Sequence, residues 1–386
     1  MNVDVAVVGG GPVGGSFARA LAPTGLSVVL VEPRVARALP SDGFDQRVYA
    51  LNGQSRRFLE RCEVWQRLSQ ERVTPVREMQ VFGDDASKIE FSAYRSGVPE
   101  LASIVEEANL QQALQAALAR QANLTLLTGI ECMSARWNDA LATLSLSDGR
   151  QIEARLVVAA DGAESALRTA AGIATRVHRY AQTGVVANFL AGRPHRDVAY
   201  QWFSTHGVLA MLPLPGNQVS MVWSAAQAHA QVLLAAGAEE LARMAEQASF
   251  DTLGRLQRVS AAVGFPLRRM RAERLIAPRL ALIGDTAHNV HPLAGQGLNL
   301  GFGDAQALAA VLAERGLESD CGAVSLLRRF ERSRREDLLA MGVVTDGLQA
   351  LFDSRLPGAK RLRNAGLRLT NRFSPLKRLL VKRALG

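Results

Sequence analysis

The sequence has few cysteines and no long apolar run, and each scarcity excludes a class of protein. Its three cysteines, Cys62, Cys132 and Cys321, stand far apart in 386 residues and outside any Cys-x-x-Cys pair or Cys/His cluster. A disulfide framework and a structural zinc site are both disfavoured, so we expect no metal and a reducing compartment. No apolar stretch approaches the ~18 residues of a membrane-spanning helix, and no basic leader with a cleavage site opens the chain. We therefore expect a cytoplasmic protein that does not span the membrane.

Acidic residues are missing from one end of the chain. The whole chain has 45 Lys and Arg against 36 Asp and Glu, a formal charge of +9. Residues 355–386 contain ten of the basic residues and no acidic one, so residues 1–354 balance at 35 basic against 36 acidic. Because the excess is confined to a tail, it does not indicate a nucleic-acid-binding protein, and we expect no nucleic-acid partner.

The end of this tail has the pattern of a short amphipathic helix. Ser374 suits an N-cap and Pro375 the first helical position. Leucines at 376, 379 and 380 then share one face, and basic residues populate the rest. Such a helix is too short to span a bilayer but suits an anionic membrane surface or an acidic partner. The alternative is a solvated helix packed on its own domain.

Alternating patterns at the start of the chain predict a doubly wound α/β unit. Residues 3–8 form an apolar run, three glycines interrupt it, residues 13–21 have helical character, and residues 27–31 read as a second buried strand. A strand, turn, helix and strand in this order is the repeating unit of a parallel sheet with helices on its faces.

The middle of the chain has a different pattern. Between residues 177 and 275, short alternating segments separated by Gly, Pro and Asn predict an antiparallel sheet, which we expect to form a substrate-side layer. A short apolar strand returns at 280–283, so the first unit is discontinuous. We predict a nucleotide-binding domain that comprises residues 1–75, 100–176 and 276–350. The substrate domain comprises residues 76–99 and 177–275, and the basic tail comprises residues 351–386.

The first chemical motif is a glycine-rich turn between the first predicted strand and helix. Gly9, Gly11 and Gly14 follow the G-x-G-x-x-G spacing, and Glu32 ends the next strand. Glycines allow a tight turn close to a pyrophosphate, the helix start offers free N–H groups, and the acid accepts from ribose hydroxyls. The motif predicts a dinucleotide site without distinguishing FAD from NAD; a turn with no ligand is the alternative.

A second motif occupies residues 284–299, between a predicted strand and a helix. Asp285 at the strand end can hold sugar-like hydroxyls, and the turn from Gly295 to Asn299 offers backbone N–H groups to negative charge. The plainer alternative is a strand–turn–helix connection with an N-cap. The length of the run makes it more specific than the glycine motif.

Three motifs in order resemble those of the group A flavin-dependent aromatic monooxygenases, which share the para-hydroxybenzoate hydroxylase fold. They are Gly9 to Gly14 with Glu32, residues 160–165 with Arg168, and residues 284–299. The resemblance implies an α/β fold with a discontinuous FAD-binding Rossmann domain, an antiparallel-sheet substrate domain and C-terminal helices. It covers most of the chain up to about residue 350.

The resemblance also implies which residues contact the cofactor. The first motif would hold the ADP half of FAD, Asp161 would lie near FAD and the passing nicotinamide, and Asp285 would contact ribityl or phosphate groups. The pyrimidine edge of the flavin would be lined by Gly295, Gly297, Leu298 and Asn299. No second strand-GxGxxG-helix unit follows, which agrees with transient binding of NAD(P)H as a co-substrate.

Within this group the chain most resembles the ubiquinone-biosynthesis hydroxylases, such as 2-polyprenyl-6-methoxyphenol hydroxylase. The likeness lies in residues 43–51, 206–213 and 291–301, and it makes Arg47 a flavin- or phosphate-side contact. One departure is that Glu107 and Ala108 stand where many relatives have Asn-Arg, which removes an expected FAD-side arginine.

The resemblance implies that the chain hydroxylates a polyprenylated phenol in ubiquinone biosynthesis. NAD(P)H would reduce FAD, and O2 would add to the reduced flavin as a hydroperoxide that transfers oxygen to the ring. Expected partners are the polyprenylphenol, O2, a ubiquinone-biosynthesis complex, and the inner-membrane surface through the basic tail. Alternatives are hydroxylation of a small soluble aromatic, or a flavin-binding scaffold without turnover.

The histidines have mostly structural interpretations. His178, His195 and His229 stand among polar or small residues and are expected at the surface. His288 and His291 belong to the flavin loop, where orienting the loop is the simpler role. His291, next to a proline, is the tentative candidate for a base that takes a phenolic proton.

Overall fold

The computed structural model describes residues 1–35, 37–83, 87–205, 207–289, 297–316 and 319–336. In these ranges twenty strands form three sheets, of eight, nine and three strands. The strands are β1 (Asn2–Val8), β2 (Val28–Glu32), β3 (Val48–Leu51), β4 (Thr74–Val76), β5 (Glu78–Phe82), β6 (Lys88–Ser92), β7 (Ala102–Glu106), β8 (Leu124–Thr128), β9 (Cys132–Trp137), β10 (Ala142–Leu146), β11 (Gln151–Ala159), β12 (Thr175–Ala191), β13 (Val198–Ser204), β14 (Gly207–Pro213), β15 (Gln218–Ala226), β16 (Leu256–Arg258), β17 (Val263–Ala272), β18 (Ile276–Ala277), β19 (Leu280–Leu282) and β20 (His288–Asn289). The α-helices are α1 (Pro12–Ala20), α2 (Gly53–Arg61), α3 (Ala93–Ser96), α4 (Glu107–Leu118), α5 (Ala166–Ala170), α6 (Gln227–Ala235), α7 (Ala238–Ala248) and α8 (Gly297–Ala313), and a ninth, α9, includes residues 324–336.

The eight-stranded sheet is built around β1. This strand pairs in parallel with β11 on one side and with β2 on the other, and β19 and β8 extend the parallel order outward. Val5, Val7 and Val29 are fully buried, because a parallel sheet is covered on both faces and selects continuous apolar strands. The loops that follow β1, β11 and β19 meet at the carboxyl edge, where such sheets bind ligands.

The nine-stranded sheet is antiparallel except where β13 pairs with β5. Its order is β20-β17-β12-β15-β14-β13-β5-β6, and β16 adds to β12. Helices α6 and α7 cover one face, on which Val185, Phe189 and Trp223 are buried. The other face packs at one end on the three-stranded sheet of β3, β7 and β4, where Leu212 contacts the cluster around Ile104.

The predicted secondary structure is confirmed where its signal was strong. The strands expected at 3–8, 27–31 and 280–283 are β1, β2 and β19, and the helix expected at 13–21 is α1, each within one or two residues at either end. An antiparallel sheet does occupy the stretch between residues 177 and 275. The α/β fold class with a second antiparallel sheet is therefore confirmed, whereas the domain boundaries stay a prediction.

The prediction that His195 lies at the surface is wrong. The residue is only 6% exposed. Its Nε2 lies 2.9 Å from the Leu214 carbonyl oxygen, and its Nδ1 accepts a hydrogen bond of 3.1 Å from the Asp197 N–H. Arg196 and Asp197 both have positive φ, so a tight turn folds the ring inward although its neighbours in sequence are charged.

In the ranges that the structure describes, no helix is both long and apolar enough to cross a membrane. The basic tail, including the amphipathic helix predicted from Ser374, lies outside those ranges. His291 and Gly295 also lie outside them, so their predicted roles stay predictions.

Candidate functional site

The glycine-rich turn after β1 has a closed side and an open side. Gly9 has a φ of +103°, and a side chain there would meet the carbonyl of Ala160; a side chain at Gly14 would meet the carbonyl of Gly9. A side chain at Gly11 would meet nothing within 4 Å. Gly11 is also the N-cap of α1 and gives it no side-chain cap, so the first-turn N–H groups face open space that suits a phosphate.

Glu32 ties the end of β2 to this turn. Its carboxylate is 6% exposed. Oε2 accepts a hydrogen bond of 2.5 Å from the Gly10 N–H, and Oε1 accepts one of 2.9 Å from the Arg34 N–H. A carboxylate has about four acceptor positions, so the predicted contact with ribose hydroxyls is compatible with both bonds.

Thr286 joins the motif of residues 284–299 to the motif of residues 160–165. Its hydroxyl donates to Asp161 Oδ1 over 3.2 Å and accepts from the Gly162 N–H over 3.1 Å. Arg168, which is 6% exposed, donates to the carbonyls of Thr286 and Ala163, each at 2.9 Å. The loops after β11 and β19 therefore form one unit beside the glycine-rich turn.

Asp285 lies in a cleft with Arg47, Tyr49 and Glu107. It is accessible to solvent but surrounded by protein atoms, so desolvation raises the pKa of its carboxyl although His288 and Arg47 act in the opposite direction. Arg47 Nη1 lies 3.3 Å from Glu107 Oε1, and its guanidinium carbon lies 5.7 Å from the centre of the Tyr49 ring. Glu107 thus pairs with Arg47, the predicted flavin or phosphate contact.

A buried ionic cluster lies behind the Asp285 loop. Asp304, which is fully buried, accepts from the Gly284 N–H at 2.9 Å, lies 2.6 Å from His288 Nε2, and accepts from Arg334 Nε at 2.7 Å. Burial alone would raise the pKa of Asp304, but His288 and Arg334 hold it below its ordinary value. His288 therefore orients the loop, as predicted.

Sequence reasoning missed Asp304 and Arg334. The one available signal was that Asp304 is the only charged residue within α8, a helix of otherwise apolar and small or amide residues. A buried lone acid of this kind requires a cationic partner. The partner could not be identified from spacing, since Arg334 lies thirty positions away on α9.

The start of α8 carries three of the predicted flavin contacts. The Asn299 side chain donates to the Ala50 carbonyl at 2.9 Å and accepts from the Asn52 N–H at 3.1 Å and from the Ser55 hydroxyl at 2.6 Å. It therefore joins α8 to the connection between β3 and α2. Gly297 and Leu298 precede it in the first turn, and contact of all three with the pyrimidine edge of a flavin stays a prediction.

The uncovered face of the nine-stranded sheet forms a neutral wall. Alternate residues along β12, β15 and β14 point away from α6 and α7, and pairing places Val186 beside Val222 and Val222 beside Ala210. All three are half-buried, whereas their neighbours Val185 and Trp223 on the helix-covered face are buried. The next row contains Gly184, Ser224 and Val208, so neither row carries a charge.

Arginines line the side of the cleft next to the motif of residues 160–165. Arg268 forms an ion pair with Glu164 and acts electrostatically on Asp285, and Arg179 pairs with it across β12 and β17. Arg269 and His178 are the next pair along the same two strands. This positive ribbon attracts anionic ligands such as a dinucleotide.

Metal ligation has no candidate within the described part of the chain, where no three His, Cys, Asp or Glu side chains gather in a suitable cluster. The free cysteines agree with this. Burial raises the pKa of the Cys62 thiol to about 12 and that of Cys321 to about 11, so neither is poised as a thiolate.

Comparison with known proteins identifies the family. Residues 2–341 match the FAD binding domain family. The chain is 36% identical to the ubiquinone hydroxylase UbiL of Rhodospirillum rubrum, over 99% of this chain and 89% of that protein, and 34% identical to the 3-demethoxyubiquinol 3-hydroxylase of Escherichia coli, over 99% and 98%. The p-nitrophenol 4-monooxygenase PnpA of Pseudomonas putida has the same fold, with a TM-score of 0.80 at 17% identity over 100% of this chain and 99% of that one. The chain therefore belongs to the ubiquinone-hydroxylase family of FAD-dependent aromatic-ring monooxygenases.

Proposed function

We propose that the protein hydroxylates a polyprenylated phenol on the route to ubiquinone, with FAD as cofactor and NAD(P)H and O2 as co-substrates. The observation that carries the substrate class is the neutral wall of Val186, Val222 and Ala210. On the same face of β12, the Asn188 side chain donates to the carbonyls of Phe44 and Asp45, in the segment that leads to Arg47. A carboxylated aromatic would need a buried cation at the wall, because an unpaired charge is costly to bury. A phenol with a hydrocarbon chain needs only apolar surface.

The residues of the cleft suit FAD. The open space at Gly11 and the uncapped start of α1 accommodate a pyrophosphate. In this proposal Glu32 accepts from the adenosine ribose, and Asp285 and Arg47 contact the ribityl or phosphate groups. When bound, FAD supplies the redox chemistry by accepting electrons from NAD(P)H and activating O2.

The chain's own contribution is binding, orientation and exclusion of water. The buried Asp304 cluster fixes the backbone of the loop that carries Asp285. The first turn of α8 offers N–H groups and the positive end of a helix dipole to negative charge on the flavin ring. The neutral wall holds the substrate ring without water.

We also propose that NAD(P)H approaches over the arginine ribbon. Arg268 and Arg179 lie beside the loop of Asp161, and their charge would attract the phosphates of a dinucleotide that has no binding domain of its own. Ionic strength is the test. We expect KM for NAD(P)H to rise with salt concentration in wild type and to rise less steeply in Arg179→Gln. An equal rise in the two proteins would contradict this route.

The proposed function is tested with the purified full-length holoenzyme in detergent. NAD(P)H oxidation and mass spectrometry of products are compared for a polyprenylphenol, its chain-free analogue and a carboxylated aromatic. Hydroxylation of the polyprenylphenol is expected. Hydroxylation of the carboxylated compound alone would show that the substrate is a small soluble aromatic. Bound FAD that NAD(P)H fails to reduce would show that the protein is a flavin-binding scaffold without turnover.

Cells provide the corresponding test of the pathway. A strain lacking the gene should accumulate one polyprenylphenol, which a wild-type copy removes and an Asp285→Ala copy does not. The mass and fragmentation of the intermediate would identify the ring position. An unchanged quinone profile, also after removal of any redundant hydroxylase, would contradict the proposal.

We propose further that the basic tail brings the enzyme to the inner-membrane surface, where it stays cytoplasmic and peripheral and takes part in a ubiquinone-biosynthesis complex. Support comes from the ten basic residues without an acid in residues 355–386. Flotation with anionic liposomes compares the full chain with one that ends near Leu351. Equal binding of the two would exclude this role.

A further inference from the structure

An exposed apolar cluster lies at the outer end of the neutral wall. Val263 and Phe265 on β17 are 44% and 38% exposed, and Val232 and Leu234 on α6 are 52% and 37% exposed. Leu234 lies against Gly264, which pairs with Val185 on the helix-covered face. Helix α6 therefore brings apolar residues to the same edge of the sheet from its other side. Single exposed apolar residues are ordinary, but Val263 and Phe265 lie side by side on the face of the neutral wall, and grouped exposed apolar side chains mark a binding surface.

Strand pairing connects this cluster to the interior of the cleft. Val263 pairs with Val186, which pairs with Val222, which pairs with Ala210. Side chains that pair directly across strands share one face of a sheet. The exposed end and the half-buried wall are therefore one row, and at about 4.8 Å per strand it extends roughly 14 Å from β14 to β17.

In the adjacent row, a glycine stands at a position where a side chain would collide with the Phe265 ring. Phe265 pairs with Gly184, which is followed by Ser224 and Val208. A Cβ at Gly184 would lie 2.7 Å from the Phe265 ring, so the ring occupies the space that glycine leaves. The sheet surface stays shallow and uncharged along its length.

The edge of the sheet is open at this point. Within the described residues β17 pairs with β20 only at Met270 and Arg271, which leaves Val263 and Phe265 without a strand on their outer side. A hydrocarbon chain can therefore pass from the row over the edge. Because Val263 belongs to the same row as Val186, Val222 and Ala210 of the neutral wall, we infer that a chain lying on this row is part of the substrate.

We propose that the hydrocarbon chain of the substrate runs along this row and leaves the protein over the β17 edge at Val263 and Phe265. This proposal rests on the proposed function, because it assumes a phenol that carries a polyprenyl chain. The row covers only the part of the chain nearest the ring. The remainder lies outside, where bilayer or detergent accommodates it.

The experiment measures kcat/KM for a polyprenylphenol and for its chain-free analogue in detergent micelles, with product quantified by mass spectrometry. Phe265→Glu places a charge at the exit of the row on an already exposed position. Tyr94→Glu, at a residue that is 93% exposed on α3, is the matched control. The ratio of the two kcat/KM values should fall about tenfold in Phe265→Glu and stay unchanged in the control.

The alternatives give different results. A ratio that is unchanged in Phe265→Glu while wild type hydroxylates the polyprenylphenol overturns the exit and leaves the proposed function intact. If the ratio of the two kcat/KM values falls in Phe265→Glu with anionic vesicles but not in micelles, Phe265 contacts the bilayer and the proposed exit is wrong. If the wild-type protein hydroxylates neither phenol, both the exit and the proposed function are wrong. Val263→Glu serves if Phe265→Glu loses FAD or unfolds at a lower temperature.

Discussion

The two faces of the nine-stranded sheet differ although they come from the same strands. Val185 and Val186 are neighbours on β12, yet the first is fully buried under α6 and α7 while the second is half-buried toward the cleft. Aromatic and sulfur-containing side chains fill the covered face, including Phe189, Met211 and Trp223. Alternation along a strand thus separates the residues that stabilise the sheet from those that can contact substrate.

The opposite wall of the cleft has the same division. Asp285 is accessible in the cleft, and directly behind it Asp304 is fully buried with His288 and Arg334. In the glycine-rich turn, Gly11 faces open space while Gly14 packs against Gly9. Each wall therefore has a closed layer that holds an open one, and substitutions can test the two layers separately.

The largest effect is expected on the covered face. Phe189→Ala removes a fully buried ring and should lower the free energy of unfolding by about 3–5 kcal/mol. Phe203→Ala, at a half-buried ring on the cleft side of β13, should cost less than half as much. Urea unfolding of the two holoproteins gives the comparison, and equal losses would contradict the assignment of the faces.

Removing the charge of Asp304 should have the next largest effect. Asp304→Asn leaves Arg334 buried without its counterion and should cost about 3 kcal/mol, together with weaker FAD retention. The lowered pKa of Asp304 means that its contribution is complete above the unfolded pKa of about 3.9 and is lost as pH falls through the folded pKa.

The pH dependence of unfolding shows whether the loss of stability in Asp304→Asn comes from the missing charge or from altered packing. The difference in stability between wild type and Asp304→Asn should begin to shrink below about pH 4 and should disappear once pH falls below the lowered folded pKa of Asp304, because the native carboxyl is then protonated. Ser333→Ala is the control, because Ser333 lies next to Arg334 on α9 and its hydroxyl donates to the carbonyl of Phe330. A difference between wild type and Asp304→Asn that stays constant with pH would show that charge is not the cause.

The two glycines of the first motif should separate stability from cofactor binding. Gly14→Ala places a methyl group against Gly9 and should lower stability by about 2 kcal/mol. Gly11→Ala meets no protein atom, so it should unfold like wild type and yet bind FAD about tenfold more weakly. Titration of apoprotein with FAD measures the second effect; normal affinity in Gly11→Ala would place the phosphate elsewhere.

The parts of the fold that could be predicted are those coded by local pattern. β1, α1 and β2 follow from an apolar run, a glycine-rich turn and a second apolar run, and the loop at Asp285 follows from an acid at a strand end. Their signals lie within a few residues of one another. The corresponding elements need no knowledge of the rest of the chain.

The remaining features depend on contacts between distant segments. The ion pair of Arg47 with Glu107 joins residues sixty positions apart, and the Asp304 cluster joins α8 to α9. The short strands β3 and β4 become a sheet only through β7. His195 was misassigned for the same reason, since its partner Leu214 lies on the far side of a hairpin.

The smallest effect compares adjacent valines. Val185→Ala removes two buried methyl groups and should cost about 1.5 kcal/mol of stability, with little change in catalysis. Val186→Ala should cost well under half of that, because its side chain is half-buried, but should raise KM for a polyprenylphenol about threefold. Urea unfolding and steady-state kinetics on the same two holoproteins measure both. If the kinetic effect followed Val185, the wall that contacts substrate would be the one under the helices, and the proposed substrate face would be wrong.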